Sequence, residues 1–339
     1  MYSRRRSVFA PRKRRHPLRW IFLTLLTLVI LCGVYTAIDN GRIIVKTQRV
    51  LVHDLPKALE GYTVLHISDL GGAEFGPGQK QLTNALKNKR YSAVCITGNM
   101  VGPKGETYPF YDLLSALDPT KPVFFVAGKN DPSPLGDQAS GGSMVLAEWV
   151  LGAQSRGAKY LGAPQSLTVG GSKVWFTDAS QMSLDLESAA AAYATADTPL
   201  SRYYAENIEL TTLARMNMAE DDLVLALSHT PIGGDMLQII MTAETESTQQ
   251  FVRSVDLVLA GGTNGGQWRL PFMGPLWSDG WFPQEELTEG YHYAGSLLQY
   301  ISGGLGVNPN SPLLGFRLFN APEVTLITFT AEMDVDVLP

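Results

Sequence analysis

Five apolar runs along the chain break off into glycine or small polar residues, and this repeated ending predicts the main strands. Asp256-Leu257-Val258-Leu259-Ala260 runs into Gly261-Gly262-Thr263-Asn264-Gly265-Gly266-Gln267. Thr63-Val64-Leu65-His66-Ile67 is followed by Ser68-Asp69-Leu70-Gly71-Gly72, and Ala93-Val94-Cys95-Ile96 by Thr97-Gly98-Asn99-Met100. Val123-Phe124-Phe125-Val126 leads to Ala127-Gly128-Lys129-Asn130-Asp131, and Leu223-Val224-Leu225-Ala226-Leu227 ends without glycine at Ser228-His229-Thr230-Pro231. Runs that do not alternate suit strands covered on both faces, and glycine permits backbone angles that other residues resist. Taken alone, Gly-Gly-Thr-Asn-Gly-Gly is equally compatible with a plain tight turn. Five such endings together read as one constellation, because α/β sheets assemble their sites at strand ends.

The stretches between the runs predict a layered α/β architecture. Residues 43–55 read as an opening strand closed by Asp54-Leu55-Pro56. Residues 78–90 have helical spacing with basic residues in the last turn, as a helix end prefers, and residues 107–117 and 144–156 read as further crossover helices. A second sheet is expected to begin around residues 173–178. Residues 185–218 read as mostly helical, with an Ala-rich centre and a break near Thr198-Pro199. No fixed-period repeat occurs, and the motifs spread over residues 42–330 predict one large domain followed by a tail, 331–339.

Residues 20–38 carry no charge and are mostly Leu, Ile, Val, Phe and Thr, long enough to span a bilayer. Charge is unevenly placed around them. Eight of the 27 basic residues precede Trp20 with no acidic residue among them, leaving 19 to face 32 acidic ones. The basic segment 1–19 then stays in the cytoplasm, and the domain lies across the cell membrane on a single-pass anchor. A cleaved signal peptide is the alternative, and Ser3-Arg4-Arg5-Arg6 faintly resembles a twin-arginine signal, but no small-x-small site follows the apolar run. The acidic body argues against nucleic acid as a partner. Cys32 falls in the apolar span and Cys95 in a core strand, so both read as buried small hydrophobes.

The order and wording of the strand endings resemble the calcineurin-like metallophosphoesterases, above all their membrane-anchored bacterial subgroup. That subgroup reads D-x-H-G, G-D-x-V, G-N-H-D, a strand followed by H-x-P, and G-H-T-H-G-G-Q. The same places here read Asp69-Leu70-Gly71-Gly72, Gly98-Asn99-Met100-Val101, Gly128-Lys129-Asn130-Asp131, His229-Thr230-Pro231 and Gly261-Gly262-Thr263-Asn264-Gly265-Gly266-Gln267. Arg269-Leu270-Pro271-Phe272, Tyr300-Ile301-Ser302-Gly303-Gly304-Leu305-Gly306 and Pro322-Glu323-Val324-Thr325-Leu326-Ile327-Thr328 continue the likeness. The resemblance implies a four-layer α/β/β/α sandwich and a site holding two metal ions. By position, only Asp69 and His229 keep the family's ligands; Gly71, Asn99, Lys129, Gly262 and Asn264 replace the others, and Asn130 replaces the catalytic histidine.

Two dications about 3.5 to 4 Å apart need anionic and imidazole ligands to offset their repulsion, and a neutral Asn99 and a cationic Lys129 supply neither. The expectation is therefore a membrane-anchored pseudoenzyme that binds a partner or ligand through the old cleft, with no cofactor or at most a weakly bound divalent metal. The rival is a phosphodiester or phosphomonoester hydrolase with a reduced or single-metal site. Within the cleft, the Lys129 ammonium is expected to replace a metal ion beside Asp69. His53, His66 and His292 read as structural or surface residues, and Thr263, Gly265, Gly266 and Gln267 as backbone retained by the fold. Trp268, Phe272, Trp277, Trp281, Phe282, Tyr291 and Tyr293 crowd residues 268–293, either as a folded-back loop that buries them or as an aromatic rim for lipid or a protein partner.

Overall fold

The computed structural model describes residues 17–136, 145–195, 197–234, 238, 242, 254–311 and 315–332. Most of the basic N-terminal segment, Met144 and the end of the C-terminal tail lie outside the described residues. The first helix, α1 (Pro17–Asn40), is long and apolar enough to cross a membrane. It contains the whole of the expected span and continues to Asn40.

Beyond α1 the described residues form a mixed α/β structure with two six-stranded sheets. In the first, β1 (Ile44–Leu51) runs parallel to β14 (Glu323–Thr330), which is antiparallel to β2 (Thr63–Ile67). β3 (Ala93–Ile96), β4 (Val123–Phe125) and β5 (Ala158–Tyr160) follow in parallel. In the second sheet, β12 (Gly290–Ala294) is antiparallel to β13 (Leu297–Ile301), which begins a parallel set with β9 (Leu257–Ala260), β8 (Leu223–Ser228) and β7 (Ser172–Asp178). β6 (Gln165–Val169) closes that edge antiparallel to β7. A two-stranded ribbon, β10 (Trp268–Leu270) with β11 (Gly274–Trp277), carries the start of the aromatic segment.

The unbroken apolar runs become strands because each has two faces to bury. Along β2, Leu65 and Ile67 join one core cluster and Val64 another; along β3, Val94 and Ile96 part from Ala93 and Cys95 in the same way. In the second sheet, Leu223, Leu225 and Leu227 enter the core shared with the first sheet, while Val224 and Ala226 pack in a third cluster. Phe124 and Phe176 stack with centroids 4.1 Å apart and tie the two sheets together. The period of two therefore decides which core a residue enters, with no polar alternation to mark it in the sequence.

Several element boundaries differ from expectation. The second sheet begins one strand earlier than expected, at β6, whose residues are half-buried and exposed in turn as an edge strand allows. α2 (Lys80–Leu86) is shorter than expected because Gln79 takes a left-handed φ of 57° before it and Lys87 turns extended after it. The basic residues Lys87, Lys89 and Arg90 lie beyond its end. α3 (Tyr108–Ala116) matches its expected place, and α4 (Glu148–Gln154) covers only the middle of the helix expected there. The break near Thr198-Pro199 is real: α5 (Leu186–Tyr193) stops before it, and Thr198 caps α6 (Pro199–Asn217) reciprocally with Ser201.

His66 is fully buried in β2, its Nε2 2.9 Å from the Thr97 hydroxyl, and burial pushes its pKa down to about 3. The folded chain thus keeps His66 neutral, whereas the unfolded chain protonates it below about pH 6.5. Between those two values unfolding takes up a proton, so this residue makes stability fall as pH drops. We expect the stability difference between the native chain and His66→Gln to change by up to about 1.4 kcal/mol per pH unit in that window, measured by urea unfolding. A difference independent of pH contradicts the assignment.

Candidate functional site

The parallel strands of both sheets deliver their ends to one place. Asp69 follows β2, Asn99 follows β3, Asn130 follows β4, His229 follows β8, and Gly262 and Asn264 follow β9. Backbone hydrogen bonds knit these ends together: Asp69 N to Gly98 O at 3.0 Å, Gly71 N to Asn99 O at 2.7 Å, and Gly261 N to His229 O at 3.1 Å. The turn after β13 closes over them, with Leu305 N on Ser68 O and Gly306 N on Asp69 O.

Three non-glycine residues of the site hold left-handed backbone: Asp69 at φ 54°, Asn99 at φ 54° and Asn264 at φ 49°. Asp and Asn tolerate that region better than other L-residues, so the types found at positions 69, 99 and 264 suit the backbone they must adopt. Strained backbone at strand ends is characteristic of sites whose surroundings over-determine them.

Asp69 is 1% exposed, and both of its carboxylate oxygens are occupied. Oδ2 accepts from Ser68 Oγ at 2.6 Å and from Gly262 N at 2.8 Å; Oδ1 accepts from Asn99 Nδ2 at 3.0 Å. Asn99 is used at its other end too, since its Oδ1 accepts from Asn130 N at 2.8 Å. His229 donates from Nδ1 to Thr97 O at 2.8 Å. Asn264, 2% exposed, donates to Gly306 O at 3.3 Å. Asp131 sits behind the site, its two oxygens accepting from Val101 N and Gly128 N at 2.8 Å, and burial raises its pKa against those hydrogen bonds and the pull of His229.

The expected ion pair between Lys129 and Asp69 does not form. The Lys129 ammonium turns outward to Asp279, and both partners are about half exposed. Solvation explains the choice: an ammonium hydrates strongly, and Asp69 is already satisfied by neutral donors without leaving water-accessible space for a second head group. Of the candidate residues, then, Asp69, Asn99, Asn130 and Asn264 line one small cavity, His229 flanks it through Gly262, and Lys129 stands outside. That cavity measures ≈ 10 Å³ and is closed by Val101, Val307 and Pro309. Such a volume holds at most about one water and no phosphoryl group.

These residues do not fit a two-metal centre. Among the described residues no three His, Cys, Asp or Glu side chains converge as metal ligands. A side chain at position 262 meets the fold itself: its Cβ would lie 2.8 Å from His229 O and 3.1 Å from His229 Nε2. At position 71 the Cβ would stand 3.3 Å from Val307 O. At Gly71 and Gly262, neighbouring backbone and His229 thus stand close to where a side chain would begin.

Sequence reasoning missed Arg317. It is 1% exposed and donates to Gly306 O and Gly303 O at 2.7 Å, to Asn320 O at 3.0 Å and to Asn320 Oδ1 at 3.0 Å. Burial lowers its pKa to about 10, with Glu323 and Asp69 opposing the shift. Asn320 in turn donates to Asn264 O at 2.8 Å. An arginine shortly after a glycine-bearing turn carries no local signal of burial. The other histidines are as expected: His66 is buried in its strand and His53 is exposed beside Asp54.

Asp69→Ala strands the donors of Ser68, Gly262 and Asn99, so the expected loss in urea unfolding is about 2–4 kcal/mol. Lys129→Ala removes only a solvent-exposed pair and is expected to stay within about 0.5 kcal/mol of the native chain. A larger loss for Lys129→Ala than for Asp69→Ala contradicts this ordering.

No family model matches the chain. One curated relative, the uncharacterized metallophosphoesterase YkuE of Bacillus subtilis (strain 168), is 30% identical over 122 residues, which are 36% of this chain. The chain spans 40% of that relative's length. Among solved structures, phosphopantetheinyl hydrolase (PptH) from Mycobacterium tuberculosis aligns with 73% of this chain and 91% of its own, at a TM-score of 0.34 and 11% identity, which is too remote to carry an argument. The sequence likeness points to the metallophosphoesterase superfamily over the matched stretch.

Proposed function

We propose that the chain is a membrane-anchored protein of metallophosphoesterase fold, a four-layer α/β/β/α domain over residues 42–330, that has exchanged catalysis for partner binding. The observation that carries this reading is the occupancy of Asp69: its carboxylate is answered by Ser68, Asn99 and Gly262 N–H, so three of its roughly four acceptor sites already hold protein donors. The ≈ 10 Å³ cavity supports it further and moves the binding role from the interior of the old cleft to its rim. In this reading Asp69, Asn99, Asn130, His229 and Asn264 act as a rigid joint between the sheets. No cofactor is required.

Purified with manganese or zinc present, the chain is expected to carry well under one ion and to hydrolyse a generic phosphodiester no faster than Asp69→Asn. Turnover that depends on both metal and Asp69 supports the reduced-site hydrolase instead and ends this proposal.

The anchor and the aromatic segment support a lipid-facing arrangement, with the N-terminus cytoplasmic and the domain across the membrane. α1 does not simply tether the domain. Asn40 exchanges two hydrogen bonds with the Arg317 backbone at 2.7 and 2.8 Å, and Tyr35 packs on Phe319 with centroids 5.2 Å apart. Phe319 shares a surface hollow with Phe272 and Met273 at the tip of the β10–β11 ribbon, and both tip residues are exposed. The ribbon tip therefore sits beside the end of the membrane helix, where an apolar side chain gains by entering the headgroup region. Trp268 and Trp277, by contrast, are buried at the root of the ribbon, so the segment is part folded-back loop and part rim. A nitroxide on Met273→Cys, in full-length chain carrying Cys32→Ala in bilayer discs, is expected to be open to oxygen and shielded from aqueous nickel. Accessibility of a fully hydrated site contradicts a lipid-facing tip.

A further inference from the structure

A second cavity, ≈ 420 Å³, opens along the same strand-end rim, past the ends of β5 and β7 and under α5 and α6. Tyr160, Tyr193, Tyr203 and Tyr204 line it together with Asp178 and Asn207. Among the described residues Asp178 is its only charged one, and no described Lys, Arg or His faces the space. This composition differs from the small cleft, where the carboxylate of Asp69 is already answered by protein donors, the other polar lining is amide, and the space is too small for a ligand.

The aromatic groups are already arranged around one another. Tyr193 and Tyr204 stack with centroids 5.2 Å apart, and Tyr203 meets Tyr204 edge-on at 6.0 Å. Tyr160 comes from the opposite wall; burial raises its pKa, and the nearby Asp178, Tyr203 and Tyr204 raise it further. Asp178 ends β7 and accepts from Ser180 N at 2.8 Å. Burial raises its pKa against that hydrogen bonding, and no basic side chain opposes the rise. Arg215, which follows the lining residues on α6, does not reach the cavity: it donates to the Gln181 and Leu184 carbonyls at 2.6 and 3.3 Å.

A partly buried carboxylate without a countercharge, set among electron-rich rings, has a defined complement. Tyrosine faces attract cations through their quadrupole, and the attraction strengthens when water is excluded. A neutral polar ligand would satisfy the hydroxyls and the Asn207 amide but leave the carboxylate unanswered. An anion would meet Asp178 directly. We propose that this cavity binds a small organic cation bearing an alkylammonium group, its charge against Asp178 and its alkyl carbons against Tyr160, Tyr203 and Tyr204. The proposal stands on a different set of residues from the closed cleft and holds whether or not that cleft is catalytic.

The test uses full-length chain in bilayer discs and three probes: choline, tetramethylammonium, and 3,3-dimethylbutan-1-ol, the neutral isostere of choline. Titration calorimetry is expected to give saturable binding of both cations below about 10 mM, and at least about tenfold weaker binding of the isostere. Asp178→Asn keeps an acceptor for Ser180 N and is expected to weaken choline at least about tenfold; Tyr204→Leu weakens it several-fold. Should Asp178→Asn fail to fold by thermal melting, the isostere comparison and Tyr204→Leu decide alone. Absence of saturable binding by both cations overturns the proposal, as does equal affinity for the isostere or an unchanged affinity in the folded variants.

Discussion

A carboxylate that is almost wholly buried has to be answered by cations or by hydrogen-bond donors, and the centre of this molecule follows from which answer Asp69 receives. Its donors are neutral and come from both sheets. Asn99 follows a strand of the first sheet, Gly262 N–H follows a strand of the second, and Ser68 adjoins Asp69 itself. Hydrogen bonds to a charged group are worth about 1.5–3 kcal/mol each, so this carboxylate clamps the two sheets at the edge where the interdigitated core between them ends. Around the clamp, Arg317 fixes the turn that closes over Asp69 by donating to the carbonyls of Gly303 and Gly306.

Metal binding and this clamp compete for one carboxylate, in a cavity with room for about one water. A dication at Asp69 would crowd Asn99 and the Gly262 N–H in a cavity of ≈ 10 Å³. A Cβ at position 262 would lie 2.8 Å from His229 O, so a side chain there needs rearrangement, whereas at position 71 the contact with Val307 O is tight at 3.3 Å. Open space lies instead on the flank of the rim, in the tyrosine-lined cavity, and in the hollow where Phe319, packed against α1, meets the ribbon tip.

The strands and their endings were legible because a strand buried on both faces leaves an uninterrupted apolar run, and a left-handed turn leaves glycine, asparagine or aspartate. Asp69, Asn99, Asn130, His229 and Asn264 could be placed together from those two signals. β6 was missed because an edge strand such as Gln165–Val169 mixes polar and apolar residues with no run to mark it. The direction of Lys129 was misjudged because its partner, Asp279, is 150 residues away and belongs to the aromatic segment. Arg317 and the tyrosine cavity escaped for a related reason. Each depends on the direction a side chain takes, and a lone arginine or tyrosine looks the same on paper whether it faces water or a carbonyl.

The most direct test of the account is anomalous scattering from crystals of the chain soaked in manganese, read at the Asp69 site. The account predicts no anomalous peak within coordination distance of the Asp69 carboxylate, and Asn99 Nδ2 and Gly262 N still in place beside it. A pair of peaks about 3.5 to 4 Å apart, with Asp69 swung off its amide donors, would contradict it outright.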